Sequence, residues 1–383
     1  MDLVSHRQAD AALDRVRDDV ASKHQAQLYP PLDGLRAVAV LMVIGVHGTQ
    51  FVLARAHGSE QRLLEQWYTT WSLGRTGVEL FFVLSGFLLF MPYARSIHQN
   101  ANWPNVRLFY RRRLRRVGPA YWFSLAVLGF ASSASAGDLA LHALFLHNVS
   151  FGTYRSINDV FWSMAVEVQF YALLPLIAFA VARFRDKAVV ALLAATPATQ
   201  AILLIINWLG VKTLPYRPAM ALLSYLSVFG AGICGAWLVV RSQNGDHRAA
   251  RWVSVMSRGG VVVLVLVLFL DASNLWHTRF QFMLWEATLG IGYAGLLLAA
   301  LVTWPRLGKF LTLRPLVLLG LISYSAYIWH VPMYGRFLDT LTRITGGRYM
   351  LITWLIFVGV VAIPVFAFSY LLLERPFHRK TAR

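Results

Sequence analysis

Residues 31–51 read PLDGLRAVAVLMVIGVHGTQF, an apolar stretch of membrane-spanning length that contains one arginine, Arg36, and one histidine, His47. On a helix with 3.6 residues per turn, an offset of about 11 residues is close to three turns, so both side chains lie on one face, roughly 16 Å apart. Because ionisable groups inside a membrane-spanning helix are costly, they usually face a bundle interior or a water-filled cavity. This face therefore presents a cation at one end and a proton-transfer group at the other, unless His47 is only a hydrogen-bonded core residue.

The composition of the whole chain is typical of a membrane protein. Of its 383 residues, 57% are hydrophobic and 14% are charged, which does not fit soluble domains. The net charge of +18 comes from basic clusters between apolar stretches, as in loops that set membrane orientation, so we expect no nucleic-acid partner. The single cysteine, Cys234, has apolar neighbours and provides neither a disulfide framework nor a metal site. We expect no bound metal.

Windows of about 20 apolar residues predict the spans. The sequence therefore predicts an all-α fold, a polytopic membrane helical bundle with about ten transmembrane helices. A short interfacial helix is expected within residues 137–158. The predicted spans are 32–54, 75–94, 117–136, 160–182, 188–210, 219–240, 259–275, 281–304, 315–338 and 349–373.

The distribution of basic residues predicts the orientation of these spans. About 25 Lys and Arg residues lie in the N-terminal tail, the even-numbered connections and the C-terminus, against about 10 in the other connections. Both termini should therefore be cytoplasmic. Residues 1–30 are polar and lack the apolar core of a signal peptide, so they are predicted to form a cytoplasmic tail. Residues 31–375 form the transmembrane domain, and residues 376–383 form a short cytoplasmic C-terminal tail.

The densest charge cluster, RLFYRRRLRRVGPAYW, begins at Arg107 and contains six arginines within ten positions. Orientation alone needs two or three of them. Guanidinium groups bind phosphate with two parallel hydrogen bonds, so a nucleotide-bearing donor at the cytoplasmic face is one interpretation. Anionic lipid headgroups are an equally weighted alternative.

Further polar residues interrupt the apolar spans. Glu167 lies within the fourth span and is either a partner for an interior cation or an orienting group for a substrate or histidine. In the ninth span, Ser323, Tyr327 and His330 share one helical face, and Pro332 should kink the helix beyond them. Counting 1.5 Å per residue from the predicted edges places His47, Glu167 and His330 at comparable depth in the outer half of the bilayer.

The second span contains a serine beside a glycine, Ser85 and Gly86, which in a different context is the site of a hydrolase nucleophile. The surrounding sequence lacks the G-x-S-x-G elbow and the strand-to-helix context of such enzymes. Small residues in membrane helices allow close approach of a neighbouring helix, so we interpret this pair as a packing site.

These motifs resemble the acyltransferase 3 family of membrane O-acyltransferases, and the resemblance covers nearly the whole chain. The family's opening motif, an arginine and a histidine separated by ten residues after LDGLR, is matched by Arg36 and His47. Its second helix is matched by GVELFFVLSGF, in which Glu79 replaces the more usual aspartate. Its arginine pair before a proline-started helix is matched by Arg113 and Arg116.

Two further motifs strengthen the resemblance. The family's WS-x-x-x-E-x-QFY stretch is matched by residues 162–171, which include Ser163 and Glu167. Its SYS-x-Y-x-WH element is matched by residues 323–330, which include Tyr327 and His330. Five motifs in the right order identify the chain as a member of the family, whereas any one alone would be weak.

The resemblance implies transfer of an acyl group, commonly acetyl, from acyl-CoA to a hydroxyl group, usually on a carbohydrate. Arg113 and Arg116, with Arg36 nearby, would hold the phosphates of the donor. His47 would act as general base on the acceptor hydroxyl or would carry the acyl group transiently, and Glu167 would orient or polarise in either scheme. Residues in possible supporting roles are Glu79, Ser163, Tyr327 and His330. Acetyl-CoA would be a substrate, and no permanently bound cofactor is expected.

Such an enzyme would be a multi-pass protein of the plasma (inner) membrane, in contact with the lipid bilayer and a carbohydrate acceptor. We favour a surface or exported polysaccharide, with O-acylation of a small molecule or macrolide sugar as the alternative. A proton-coupled transporter or flippase is the competing class, in which Arg36, His47 and Glu167 would move a substrate or proton. The sequence shows no inverted repeat, which argues against that class. The acceptor, the acyl chain and the oligomeric state stay open.

Overall fold

The computed structural model describes residues 29–99, 101–149, 152–209, 221–273 and 279–379. Residues 1–28 of the predicted N-terminal tail and residues 380–383 of the C-terminal tail lie outside the described residues. Across the described ranges the chain forms helices and no strand, which confirms the predicted all-α class. The helices are α1 (Pro31–Leu53), α2 (Gly58–Gln66), α3 (Tyr68–Ser72), α4 (Gly77–Gln99), α5 (Val106–Ala131), α6 (Ala136–Ala143), α7 (Phe161–Phe184), α8 (Asp186–Trp208), α9 (Ala221–Gln243), α10 (His247–Ala272), α11 (Arg279–Leu298), α12 (Pro305–Leu311), α13 (Arg314–Leu321), α14 (Ser323–Thr345), α15 (Met350–Phe357), α16 (Ile363–Ser369) and α17 (Arg375–Arg379).

Eight helical segments in the described part of the chain are long and apolar enough to cross a membrane. A ninth span is present if α13 and α14, which meet at an angle of 69°, count as one. The protein is therefore a polytopic membrane helical bundle. Of the ten predicted spans, the third, at 117–136, is not among these segments.

The helix at that position, α5, starts earlier and ends earlier than predicted. Asn105 caps it, since the Asn105 side chain accepts a hydrogen bond from the backbone N–H of Leu108 at 3.0 Å. The arginine-rich stretch therefore forms the first half of the helix, and the apolar half ends at Ala131. That apolar half is shorter than the roughly 20 residues that a full span needs.

The break in the ninth span lies before Ser323, and Pro332 lies inside α14, which continues to Thr345. This bend was not predicted from the sequence, which placed a kink at Pro332. Because proline has no N–H, the carbonyl four residues earlier, that of Ile328, lacks its helical partner. The Asn158 side chain donates to this carbonyl at 3.0 Å, and the connection before α7 is thereby attached to α14.

Close contact between α4 and α9 holds the centre of the bundle together. A Cβ at Gly86 would overlap the carbonyl oxygen of Phe229, and one at Gly232 would overlap that of Val83. Only glycine permits backbones to approach so closely, which confirms the packing role expected for Gly86. Aromatic rings fill the adjoining core, with Phe229 stacked on Phe170 at a centroid distance of 3.9 Å.

The connection between α1 and α4 also supports a distant helix. The carboxylate of Glu60 in α2 accepts hydrogen bonds from the backbone N–H groups of Met350, at 3.1 Å, and Leu351, at 2.6 Å. These N–H groups lie at the start of α15, where a helix has no internal acceptor for them and favours a negative charge. Glu60 therefore caps α15 from a segment almost 300 residues away.

Candidate active site

The two histidines of the spanning helices meet. His47 of α1 and His330 of α14 are joined by a hydrogen bond of 3.0 Å between Nδ1 of His47 and Nε2 of His330. Their ring centroids are 5.0 Å apart. His330 is completely buried, whereas His47 is partly exposed. Sequence reasoning named both residues, and the structure brings them together.

The backbone of α14 fixes the protonation pattern of this pair. Nδ1 of His330 lies 2.8 Å from the carbonyl oxygen of Tyr327 and 3.1 Å from that of Ala326. Carbonyl oxygens only accept hydrogen bonds, so Nδ1 of a neutral His330 carries the proton and its Nε2 is an acceptor. Nδ1 of His47 must then be the donor. The Nε2 atom of neutral His47 is left with a lone pair, which is the form that a general base or nucleophile requires.

A cavity of about 80 Å³ lies between α1, α4, α5, α7 and α14. Its charged lining consists of three arginines, Arg36, Arg113 and Arg116, and one carboxylate, Glu167. The Nε of Arg113 is buried and has no hydrogen-bond partner among the described groups. An excess of guanidinium groups with an unused donor is the arrangement expected of a site for an anion with several oxygens. Sequence reasoning named all four residues, and the structure places them around one cavity.

Arg36 carries its own local counter-charge. Its Nη1 lies 2.5 Å from the carboxylate of Asp33, one helical turn earlier in α1. The pairing leaves Arg113 and Arg116, both from α5, as the less compensated cations of the cavity. The cluster at the start of α5 therefore divides into residues that line the cavity and residues, such as Arg111, that are exposed.

Glu167 lies in this cavity and forms no described hydrogen bond with either histidine. Its Oε1 accepts hydrogen bonds from the hydroxyls of Tyr171, at 2.6 Å, and Ser85, at 2.7 Å. Of the two roles considered for Glu167, a partner for interior cations is the one that this position fits. Depth along a helix can be counted from sequence, but the direction of a side chain around the helix axis depends on packing. Glu167 balances the arginines and holds two hydroxyls in place.

Tyr327 connects the cavity to the histidine pair. Its ring lines the cavity and lies 5.9 Å from the ring of His330. Its hydroxyl is 2.6 Å from that of Ser163, which also lines the cavity. His47 and His330 are not among the lining residues of the cavity. The hydroxyl pair Tyr327–Ser163 therefore marks the end of the cavity nearest the histidines.

The remaining predicted residue, Glu79, is buried but does not line the cavity. The charged groups that act on it are Glu286 and Arg75, on the side of α4 that faces α11. Glu79 therefore belongs to a separate polar cluster.

Sequence reasoning missed several residues around the site. Ser85 was interpreted as a packing residue, and nothing marked its hydroxyl as a partner of Glu167. Nothing in the sequence marked Glu374, whose carboxylate is buried and accepts a hydrogen bond from Ser325. Tyr324 lines the cavity and donates to the carbonyl of Val117 at 2.8 Å. Its position in the SYS-x-Y-x-WH element was the available signal.

Comparison with known proteins gives a family match over most of the chain. The sequence model of the acyltransferase 3 family, described as an acyltransferase domain, matches residues 30–374. This range begins just before α1 and ends at Glu374, so it contains every residue of the two sites described above.

Several bacterial proteins are similar to the chain. The O-acetyltransferase OatA of Staphylococcus aureus is 26% identical over 328 residues, which are 79% of this chain and 50% of that protein. The peptidoglycan O-acetyltransferase OatA of Listeria monocytogenes is 24% identical, over 82% of this chain and 50% of that protein. The putative peptidoglycan O-acetyltransferase YrhL of Bacillus subtilis is 28% identical, over 91% and 54%. The chain thus spans about half the length of these relatives. No solved structure matches it.

Proposed function

Since the chain belongs to the acyltransferase 3 family, we propose that it is a membrane O-acetyltransferase that moves an acetyl group from acetyl-CoA to a hydroxyl group of a carbohydrate. The observation that carries this proposal is the pairing of two unlike sites. An arginine-lined cavity suits a phosphate-bearing donor, and a histidine pair with one basic nitrogen suits activation of a hydroxyl. Tyr327 lies between them.

The donor half of the proposal depends on the charge of the cavity. Coenzyme A carries several phosphate oxygens, and guanidinium forks bind such oxygens with paired, charge-assisted hydrogen bonds. Arg113 and Arg116 come from the helix with the dense basic cluster, which the positive-inside rule assigns to the cytoplasmic face. Acyl-CoA is made in the cytoplasm, so the donor would enter from there. Its thioester end would point towards Tyr327 and Ser163.

The chemical half depends on His47. A hydroxyl is a poor nucleophile unless its proton is removed as it attacks. In direct transfer, the acceptor oxygen bonds to the thioester carbonyl carbon and its proton passes to Nε2 of His47. The C–S bond then breaks, and the thiolate of coenzyme A takes up that proton. In the alternative, Nε2 attacks the thioester carbonyl carbon, and the C–S bond breaks to release coenzyme A as a thiolate. The acceptor oxygen then attacks the acetyl group on Nε2, the C–N bond breaks, and the hydroxyl proton is taken up by the thiolate. In both schemes His330 acts as a positioning residue, because its Nε2 accepts a hydrogen bond from the Nδ1–H group of His47.

The acceptor is proposed from the relatives. Two of them are named for O-acetylation of peptidoglycan, so a cell-envelope glycan at the plasma membrane is our first choice. A glycosylated small molecule is the second. Only the His47 side of the protein would then need access to the acceptor.

Radiolabelled acetyl-CoA and purified protein in nanodiscs, with cell-envelope extract as acceptor source, provide the test. Wild-type protein should move label into glycan. The His47→Ala variant should fold normally and transfer at least about 100-fold more slowly, since general base catalysis contributes about this much. The His57→Ala variant, which changes an exposed histidine beyond α1, should retain wild-type turnover. Undiminished transfer by His47→Ala, or no thioester cleavage by folded wild-type protein, would contradict the proposal.

A further inference from the structure

The connection that leads into α7 carries an unusual set of side chains beside the histidine pair. Tyr154, Trp162 and Tyr225 form a continuous row of aromatic rings, with centroid distances of 6.2 Å and 5.4 Å. Next to this row lies an ion pair between Arg155 and Asp159, with Nε and Oδ1 3.3 Å apart. None of these residues takes part in the donor cavity or in the proposed proton transfer.

The ion pair lies within electrostatic range of His47. Asp159 and Arg155 are the charged side chains that act electrostatically on His47. Trp162 directly precedes Ser163, whose hydroxyl bonds to that of Tyr327. Asn158, within the same segment, is hydrogen-bonded to the backbone of α14 two residues before His330. The segment from Tyr154 to Trp162 is therefore attached to α14, the helix that carries His330.

Because its side chains are exposed, the Arg155–Asp159 ion pair is able to bind a ligand. The side chains of Arg155 and Asp159 are 54% and 46% exposed. An ion pair this exposed contributes about 0–1 kcal/mol to stability, so exchanging its bonds for bonds to a ligand costs little. By contrast, Arg55 and Asp339 form a closer pair, at 2.6 Å, whose arginine is largely covered and also bonded to the carbonyl of Phe51.

The combination matches the chemistry of a sugar ring. A pyranose has an apolar C–H face, which packs on flat aromatic rings, and a rim of hydroxyl groups, which need both donors and acceptors. Tyr154 and Trp162 supply aromatic rings. Arg155, whose guanidinium carbon lies 5.4 Å from the centre of the Tyr154 ring, supplies donors, and Asp159 supplies acceptors. An apolar ligand would leave the ion pair unused, and a multivalent anion would be repelled by Asp159.

We propose that Tyr154, Arg155, Asp159 and Trp162 form the acceptor subsite, which binds a pyranose unit of a saccharide and presents one of its hydroxyl groups to His47. This inference rests on the proposed function for the identity of the reaction. Binding of a saccharide to this surface does not depend on the identity of the reaction, and it is measurable without any acetyl transfer.

Isothermal titration of nanodisc-embedded protein tests the binding directly. The probes are chitotetraose and a muramidase-released disaccharide of peptidoglycan. Wild-type protein should bind at least one of them saturably. Tyr154→Ala should weaken that binding about tenfold, whereas Tyr154→Phe, which keeps the ring, should bind within about twofold of wild type. Arg155→Gln should weaken it by a similar factor because the hydroxyl donors are lost.

The matched control is Tyr68→Ala, which removes another exposed tyrosine from the connection between α1 and α4 and should leave binding unchanged. Thermal unfolding of each variant shows that it is folded. In transfer assays, Tyr154→Ala should raise the KM for the saccharide and leave the KM for acetyl-CoA at its wild-type value. Binding by Tyr154→Ala equal to that of wild type, or no saturable binding of any probe by wild type, would overturn the subsite. Failure of acetyl transfer with intact saccharide binding would instead contradict the proposed function alone.

Discussion

The two histidines differ in how far the surrounding backbone fixes their chemistry. Nδ1 of His330 faces two carbonyl oxygens of its own helix, so Nδ1 carries the proton and Nε2 is the acceptor. The tautomer of this ring is therefore fixed. His47 has one nitrogen committed to His330 and one uncommitted. The identity of residue 330 therefore determines which nitrogen of His47 is basic.

Replacement of His330 by phenylalanine tests this dependence. The ring volume is kept, but the acceptor for the Nδ1 proton of His47 is lost, so His47 samples the wrong tautomer and orientation. We expect kcat for acetyl transfer to fall about 10- to 100-fold, with the KM for acetyl-CoA unchanged. His330→Gln, whose amide oxygen is an acceptor, should recover part of kcat. A His330→Phe enzyme with wild-type kcat would show that His330 only fills space.

Arg113→Lys tests the role of the guanidinium fork in the cavity. Lysine keeps the positive charge but removes the planar set of donors, including the buried Nε. We expect the KM for acetyl-CoA to rise about tenfold, with a smaller effect on kcat. Arg111→Lys, at an exposed position in the same helix, is the control. Equal donor KM values for the two variants would remove Arg113 from the donor site.

A second histidine pair, outside the spanning helices, gives a prediction about pH. The buried rings of His142 and His147 are stacked with centroids 3.9 Å apart. Burial, with a smaller contribution from His142, lowers the pKa of His147 from 6.5 to about 4, and the carboxylate of Asp138 only partly opposes this shift. An unfolded His147 takes up its proton near pH 6.5, whereas the folded one does so only near pH 4. The unfolded state therefore binds more protons between these values, and stability is lost as the pH falls from about 6.5 to about 4.

The measurement is the thermal unfolding midpoint between pH 7 and pH 4. The wild-type midpoint should fall across this window. His147→Phe, which keeps a stacked ring without a titrating group, should show a shallower fall. His57→Gln, which changes an exposed histidine, should follow the wild-type curve. Identical slopes for wild type and His147→Phe would contradict the shift.

At the scale of helices, the sequence predicted apolar spans well and the contacts between them less well. The position of α1 and the shared face of Arg36 and His47 followed from composition and periodicity, because both are local properties. The helical face of Tyr327 and His330 was found in the same way. The direction of the Glu167 side chain was not found from the sequence, because it depends on which helices pack against α7. The start of α5 was missed because its arginines lowered the hydropathy of a helix capped by Asn105.

The α4–α9 contact gives a prediction at this scale. In Gly86→Ala the new methyl group meets the backbone carbonyl of Phe229, which cannot rotate away. We expect a loss of about 1–3 kcal/mol in stability, as for other overpacked interiors, seen as a lower thermal midpoint in detergent. Gly259→Ala, in α10, adds a methyl group where no atom lies within 4 Å, so its midpoint should not fall. Similar midpoints for the two variants would mean that α4 and α9 separate easily.

For the molecule as a whole, orientation depends on whether α5 crosses the membrane. Among the residues that the structure describes, eight segments satisfy the requirements for a span by themselves, and α5 does not because its first half is basic. If α5 crosses, the connection between α1 and α4 and the one between α9 and α10 lie on opposite sides. If it does not cross, they lie on the same side. The basic residues of the even-numbered connections favour the first arrangement.

Cysteine labelling in intact cells distinguishes these topologies. In a Cys234→Ser background, a membrane-impermeant maleimide should modify Ser59→Cys in whole cells. It should modify Gln243→Cys only after the cells are permeabilised. Both native residues are exposed, so access is limited by the membrane alone. Labelling of both variants in whole cells would show that α5 does not cross, and the reverse pattern would place the N-terminus outside.

The Tyr327–Ser163 hydrogen bond has an electrical consequence for the cell. A protein that accepts a substrate from one side of a membrane and delivers a product to the other must avoid a continuous file of water, through which protons would leak down the membrane potential. The paired hydroxyls, 2.6 Å apart, occupy the end of the cavity next to the histidines. When Ser163 donates to the carbonyl oxygen of Val160, at 3.1 Å, it accepts from Tyr327, so no bridging water molecule is needed. The same two side chains towards which the thioester of the donor would point would thus insulate the membrane between turnovers.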